Sequence, residues 1–250
     1  MTAGQKAILG AKDLRVEFGG VKAADGVNLD LYAGQLASII GPNGSGKTTF
    51  LNLCTGYIRP TAGRVDFDGT DLTTLSPRKI TRLGIARTFQ LPQLFTEQTV
   101  IDNVLIALSS RNGFWTLSPM HRDAVYAEAE GLLATFGLAQ HAHRDITSLP
   151  EGVRKLADIA LALAISPKIL LMDEPTSGVS SLEKFAIMDT LTPILRERKI
   201  TALVVEHDME LVERYMDRVI VWNAGQVVAD GPPATILNDA DVINNVIGVV

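Results

Sequence analysis

Gly41-Pro42-Asn43-Gly44-Ser45-Gly46-Lys47-Thr48-Thr49 follows directly on the apolar run Leu36–Ile40. This is the G-x-x-x-x-G-K-[ST] pattern in a strand–loop–helix setting. Its glycines let the backbone turn so that several N–H groups point inward. The helix that follows adds the positive end of its dipole, and Lys47 supplies a point charge for terminal phosphates. Thr48 has the hydroxyl suited to Mg²⁺. The chemistry expected here is the grip of a nucleoside triphosphate.

A second element is Ile169-Leu170-Leu171-Met172-Asp173-Glu174, an apolar strand ending in two carboxylates. Consecutive strand side chains point to opposite faces, so the two acids have different tasks. One serves Mg²⁺ through water, and the other faces the water that attacks the γ-phosphate, as general base or as its aligner. A third polar group, Glu206-His207-Asp208, ends the apolar run Ala202–Val205.

These groups need a sheet to hold them. Short apolar runs bounded by turn residues alternate with segments of helical period, which predicts an α/β protein with a parallel or mixed sheet flanked by helices. Strands are expected at Leu14–Phe18, Val27–Tyr32, Leu36–Ile40, Arg64–Phe67, Ile85–Phe89, Ile169–Asp173, Ala202–Glu206 and Arg218–Trp222. The last leads through Asn223-Ala224-Gly225-Gln226 into a hairpin partner at Val227–Ala229. Between about Leu91 and Ser148 the strand signal gives way to helical spacing at Thr99–Leu108 and Arg122–Phe136, a helical insert between two sheet segments.

Composition agrees with one compact unit. The 250 residues are 46% hydrophobic, with 23 Lys plus Arg against 28 Asp plus Glu and a formal net charge of -5. That balance argues against a broad basic face for nucleic acid, and Arg78, Lys79 and Arg82 are spaced as a solvated helix face. One cysteine, Cys54, excludes an internal disulfide framework and fits a reducing compartment, with a packing role for the thiol itself. The most apolar stretch, Leu156–Met172, is broken by Asp158, Ser166-Pro167 and Lys168, so no spanning helix is expected. Nothing at the amino terminus reads as an export signal.

Loop, helical insert, acidic strand and strand-terminal His, in this order, resemble the nucleotide-binding subunit of ATP-binding cassette (ABC) transporters over nearly the whole chain. The resemblance implies a P-loop NTPase fold with an antiparallel β portion and a helical lobe, binding ATP and Mg²⁺. In this likeness residues 1–250 form one ATPase domain, with 1–90 and about 149–250 as the core and about 91–165 as the lobe carrying the signature helix. Phe18 matches the aromatic that stacks on adenine, and Gln90 the glutamine that contacts Mg²⁺ and water. Lys47 matches the phosphate lysine, Thr48 and Asp173 the Mg²⁺ partners, Glu174 the catalytic carboxylate and His207 the γ-phosphate switch. Arg87-Thr88-Phe89-Gln90 with Leu94-Phe95, Thr99-Val100 and Asn103-Val104, together with the ending Val242 to Gly248, is similar to the ATPases of branched-chain (hydrophobic) amino-acid importers, whose relatives move urea and short amides. The implied partners are transmembrane permease subunits, a second ABC ATPase subunit and, indirectly, a periplasmic solute-binding protein. The implied place is the cytoplasmic face of the cell membrane, with no nucleic acid involved.

The chain departs from the family in two turns. Where the family signature reads L-S-G-G-Q and completes the partner's site, this chain has Leu149-Pro150-Glu151-Gly152-Val153. Ser148-Leu149-Pro150-Glu151 predicts a capping box with Ser148 at the N-cap, and Glu151 is expected to compete with a bound anion at that helix end. Ser177-Gly178-Val179-Ser180 has Ser180 where the family has Asp or Asn. In the family both turns cross the dimer interface, which suggests an intact half-site paired with a weakened opposing surface, as in an asymmetric heterodimer; the alternatives are a homodimer, slow because both composite sites carry the change, and a family branch that tolerates these substitutions. The alternative functions are a regulatory module that barely hydrolyses ATP and a soluble ABC ATPase of translation or DNA. The second calls for two cassettes or a long coiled coil, and a GTPase reading lacks the N-K-x-D motif. For the membrane subunit, Phe95, Val100, Val104, Phe114 and Trp115 are candidate groove residues, with Val100 and Val104 better suited to the lobe core.

Overall fold

A computed structural model of the chain describes residues 6–112 and 119–244. Its six-stranded sheet runs, in spatial order, Gln226–Gly231, Arg218–Asn223, Leu36–Ile40, Thr201–Val205, Ile169–Asp173 and Ile85–Thr88, and a four-stranded antiparallel sheet runs Val21–Tyr32, Ala7–Phe18, Ala62–Phe67 and Thr70–Asp71. In the larger sheet β3 (Leu36–Ile40), β6 (Ile85–Thr88), β7 (Ile169–Asp173), β8 (Thr201–Val205) and β9 (Arg218–Asn223) are parallel, and β10 (Gln226–Gly231) returns antiparallel along the edge. Every residue of β3, β7 and β8 is buried, as continuous apolar runs covered on both faces must be. The alternating exposure of β10 marks a strand with one face in water.

The smaller sheet holds β1 (Ala7–Phe18), β2 (Val21–Tyr32), β4 (Ala62–Phe67) and β5 (Thr70–Asp71). β1 and β2 are twelve residues each, far longer than the sequence pattern indicates, because one face of an antiparallel hairpin tolerates charges such as Lys12 and Asp13. The pairing shifts between Ala11 and Leu14, where Asp13 has φ 46. Gly63 passes so close that a Cβ there would lie 2.3 Å from the Asp13 carbonyl oxygen. β5 was not expected; it is a two-residue return across the Asp68-Gly69 turn, too short to carry a periodic signal.

Two apolar cores lie on opposite faces of the large sheet. One joins it to α1 (Lys47–Cys54), α2 (Pro77–Leu83) and the antiparallel sheet. The other joins it to α3 (Val100–Asn112), α4 (Pro119–Thr135), α5 (Glu151–Ala164), α6 (Ser181–Glu197) and α7 (Met209–Tyr215). The helical insert is thus α3 and α4, displaced by a few residues from the expected segments, with two short 3₁₀ turns leading into α5. Cys54 is buried, and its thiol is pushed up to about 12 by burial, which suits packing. Two short helices, α8 (Pro233–Ile236) and α9 (Ala240–Val242), close the described chain.

The capping box expected at Ser148 does not form. Ser148 belongs to a 3₁₀ turn, where its hydroxyl donates to the Asp145 carbonyl at 2.7 Å, and the N-cap of α5 is Pro150. Glu151 bonds Arg154 at 2.5 Å instead, so its charge is balanced within the first turn rather than left to oppose an anion. The chain places a capping box at α6, where Ser180 and Glu183 bond reciprocally.

Candidate nucleotide site

The phosphate loop leaves the end of β3, which lies between β8 and β9, the point where strand order reverses in the parallel sheet. Gly41 and Gly46 have φ 153 and 111, and a Cβ on either would lie 2.0 Å from a carbonyl oxygen, of Trp222 and Ala23 respectively. Only glycine fits such an approach. The loop is braced from behind: the Ser45 carbonyl accepts from the Trp222 indole and from the Gly225 amide, each at 2.9 Å. Those contacts come from the β9–β10 hairpin, whose turn residues Ala224 and Gly225 both have positive φ.

Asn43 and Gly44 form the exposed tip, with nothing within 4 Å of a Cβ built on Gly44, and Pro42 and Thr49 are half-buried. Ser45 Oγ is buried without a hydrogen-bond partner, and α1 begins without a side-chain cap. Lys47 Nζ donates to the Gly41 and Pro42 carbonyls at 2.6 and 2.9 Å. Burial pulls its pKa down, against the opposing pull of Glu174 and Asp173. An unpartnered hydroxyl, open helix N–H groups and a lysine across a glycine cradle are the donor set a polyphosphate takes.

Asp173 and Thr48 meet beside this loop, Thr48 Oγ1 donating to Asp173 Oδ1 at 3.2 Å. The other oxygen of Asp173 is held by Arg87 at 3.1 Å, a buried pair, and Arg87 also bonds Asn52. Glu174 does not simply alternate to the far face of the strand. Its φ of 49 is unusual for a residue with a Cβ and turns the chain at the end of β7. Its carboxylate then accepts from the Gln90 amide at 2.8 Å and meets His207 Nε2 at 3.0 Å. His207 is seated by Glu206, which accepts from its backbone N–H and from Thr176 Oγ1; burial raises the Glu206 pKa. Hydrogen bonds join Thr48 to Asp173, and Gln90 and His207 to Glu174, while the charges of Glu174 and Asp173 act on Lys47; a cavity of about 410 Å³ opens on the Glu174–His207 side, lined also by Ser177, Lys184 and Asp208.

Phe18, at the end of β1, is 49% exposed, so it is not a core aromatic. The signature turn stands apart from that cavity. Leu149 is buried, and Gly152 faces Glu183 of α6, where a Cβ would come within 3.3 Å of Oε1. Val100 and Val104 are buried in the lobe, whereas Phe95 is 56% exposed; Phe114 and Trp115 lie outside the described residues.

Sequence reasoning passed over Arg87, Trp222, Lys155 and Asp158. A cation inside the short strand Ile85-Ala86-Arg87-Thr88 was a signal that a buried anion waits opposite. Lys155 and Asp158, three apart on the helix face that also buries Gly152 and Ile159, were another. Trp222 offered no signal beyond an apolar strand position.

Residues 24–177 match the family described as ABC transporter. The chain belongs to the ABC transporter family. It is 36% identical over 249 residues to the high-affinity branched-chain amino acid transport ATP-binding protein LivG of Escherichia coli, covering 96% of this chain and 98% of that protein. It is 35% identical to BraF, described in the same words, of Pseudomonas aeruginosa, again covering 96% and 98%. Among solved structures, the ADP conformation of MJ1267, an ATP-binding cassette of an ABC transporter, superposes with a TM-score of 0.84 at 32% identity, covering 96% and 98%. The chain is an ATPase of this family. Among the described residues no helix is long and apolar enough to cross a membrane.

Proposed function

We propose that the chain is the ATP-hydrolysing subunit of an importer for branched-chain or related hydrophobic amino acids or small amides, seated on the cytoplasmic face of the membrane. The observation that carries the reading is Glu174, held between Gln90 and His207 beside the phosphate loop. In this reading the Gly41–Thr49 loop binds the phosphates of ATP, Lys47 turns from its carbonyl partners to them, and Phe18 stacks on the adenine. Thr48, Asp173 and Gln90 would hold Mg²⁺, which supplies charge neutralisation on the phosphates when bound. Glu174 accepts a proton from the attacking water as its oxygen bonds the γ-phosphorus and the bond to ADP breaks. His207 steadies the γ-phosphate oxygens, and leaves Glu174 to do so.

Residues 1–90 and about 149–250 act as the core, and about 91–165 as the lobe that moves. In this reading Pro150 and Glu151 face the nucleotide of a second ATPase subunit across the dimer, with Leu149 and Gly152, both buried, packing the turn from behind. Permease subunits dock on the lobe at Phe95, which is 56% exposed. A periplasmic solute-binding protein acts through them. Because Val153 lacks the amide of the family signature, the second subunit is a paralogue that supplies the better surface.

The test is ATP turnover in proteoliposomes holding the permease subunits with this chain alone or with its paralogue. Turnover that rises severalfold with the paralogue and with binding protein loaded with leucine, isoleucine or valine supports the reading. Equal turnover per site in both preparations contradicts the paralogue, and no response to any amino acid or amide contradicts the importer.

A further inference from the structure

Lys155 lies on the first turns of α5 and is 4% exposed, yet no carboxylate lies within ion-pair distance of its ammonium among the described residues. Nζ donates to the Gln90 carbonyl oxygen at 2.7 Å and to Ser177 Oγ at 3.1 Å. One turn on, Asp158 accepts from the Gln93 backbone N–H at 3.1 Å. The signature helix therefore clamps residues 90–93 at two points and touches the 177–180 turn at a third. The carboxylates of Glu151, Asp158, Glu174 and Glu206 act on this charge from beyond ion-pair distance, against the larger cost of its desolvation, and a methionine of similar length would fill the position without that cost. What the ammonium adds is direction: anchored on Ser177, it holds the Gln90 carbonyl in place, and the Gln90 side chain donates to Glu174 at 2.8 Å.

We propose that Lys155 is a positioning residue for ATP hydrolysis, tying the helix whose first turn faces the partner's nucleotide to the Gln90–Glu174 pair that serves the chain's own. The inference rests on the reading of Glu174 as the hydrolytic carboxylate. Closure of the dimer on the first turn of α5 then reaches Gln90 through one side chain. A shift of about 1 Å in such a pair is enough to cost on the order of a hundredfold in rate.

The experiment compares wild type, Lys155→Met and Lys155→Arg in the assembled transporter, measuring the Kd for ATP and the kcat of hydrolysis. The expected result for Lys155→Met is a kcat lowered about tenfold with Kd within twofold, and for Lys155→Arg recovery of at least half of that loss on a logarithmic scale. A kcat within threefold of wild type, a Kd that weakens as much as kcat falls, or an Arg variant no better than Met overturns the proposal. Should Lys155→Met fail to fold, Ser177→Ala removes one anchor and carries the same test: a kcat lowered about threefold at unchanged Kd supports it, and an unchanged kcat overturns it. If wild type itself neither binds nor hydrolyses ATP, the reading of Glu174 fails, and that outcome is distinct from the others.

Discussion

At the ends of β3, β7 and β8 the candidate site residues are braced by partners distant in sequence, whereas the altered residues Glu151 and Ser180 find their side-chain partners within one helical turn. Arg87 holds Asp173, Glu206 seats His207, and Trp222 backs the phosphate loop. In the other region Glu151 bonds Arg154 and Ser180 bonds Glu183, both within one helical turn. A residue braced through the core is hard to replace without cost, while a turn that closes on its own side chains accepts replacements such as Glu151 and Ser180. The departures from the family pattern fall in the region where the fold resists them least.

That contrast breaks first at Arg87. Arg87→Met would leave Asp173 buried without its cation, a loss of about 3–5 kcal/mol for such a pair. Urea unfolding should show it, and a loss below about 1 kcal/mol would mean that the sheet does not depend on this brace.

Asp158 sharpens the contrast from the lobe side. Burial pushes its carboxyl up to about 6, against about 3.9 in an unfolded chain. Between those values the folded chain keeps a proton the unfolded chain has released, so this group's contribution to stability falls as pH rises through the window. Above it the penalty is complete at roughly 3 kcal/mol. Asp158→Asn keeps an acceptor for Gln93 and removes the titration. Its stability relative to wild type should improve by roughly 2 kcal/mol between pH 4 and pH 7, and a difference that does not change with pH contradicts a buried, titrating Asp158.

The smallest effects belong to the signature turn. With Glu151 already neutralised by Arg154, Glu151→Gly is expected to change turnover by less than about twofold, while Val153→Gln raises it about threefold, under roughly 1 kcal/mol in either case. Steady-state ATPase rates of the assembled transporter check both, and the reverse ranking would return the weight to the Glu151 charge.

The sheet was legible because β3, β7 and β8 are unbroken apolar runs whose ends carry the polar groups, and the phosphate loop because its backbone geometry admits so few residue types. β1 and β2 were half legible: an antiparallel hairpin with a wet face accepts charges, so Lys12 and Asp13 hid its length. The capping box was misplaced because the same residue types occur at Ser148 and Ser180, and only the preceding 3₁₀ turn and Pro150 decide which one starts a helix. Glu174 was recognised, but its turn to φ 49 was not, since nothing local to the sequence announces a left-handed residue with a side chain. Arg87, Lys155 and Asp158 act through pairings distant in sequence, which periodicity does not reveal.

The central claim is that the phosphate loop binds ATP while Glu174 takes the proton of the attacking water. Glu174→Gln tests it most directly, with ATP affinity by calorimetry and hydrolysis by single-turnover assay on the same preparation. The account predicts affinity within about threefold of wild type and hydrolysis slower by about 10²–10⁴-fold; hydrolysis at the wild-type rate would contradict it.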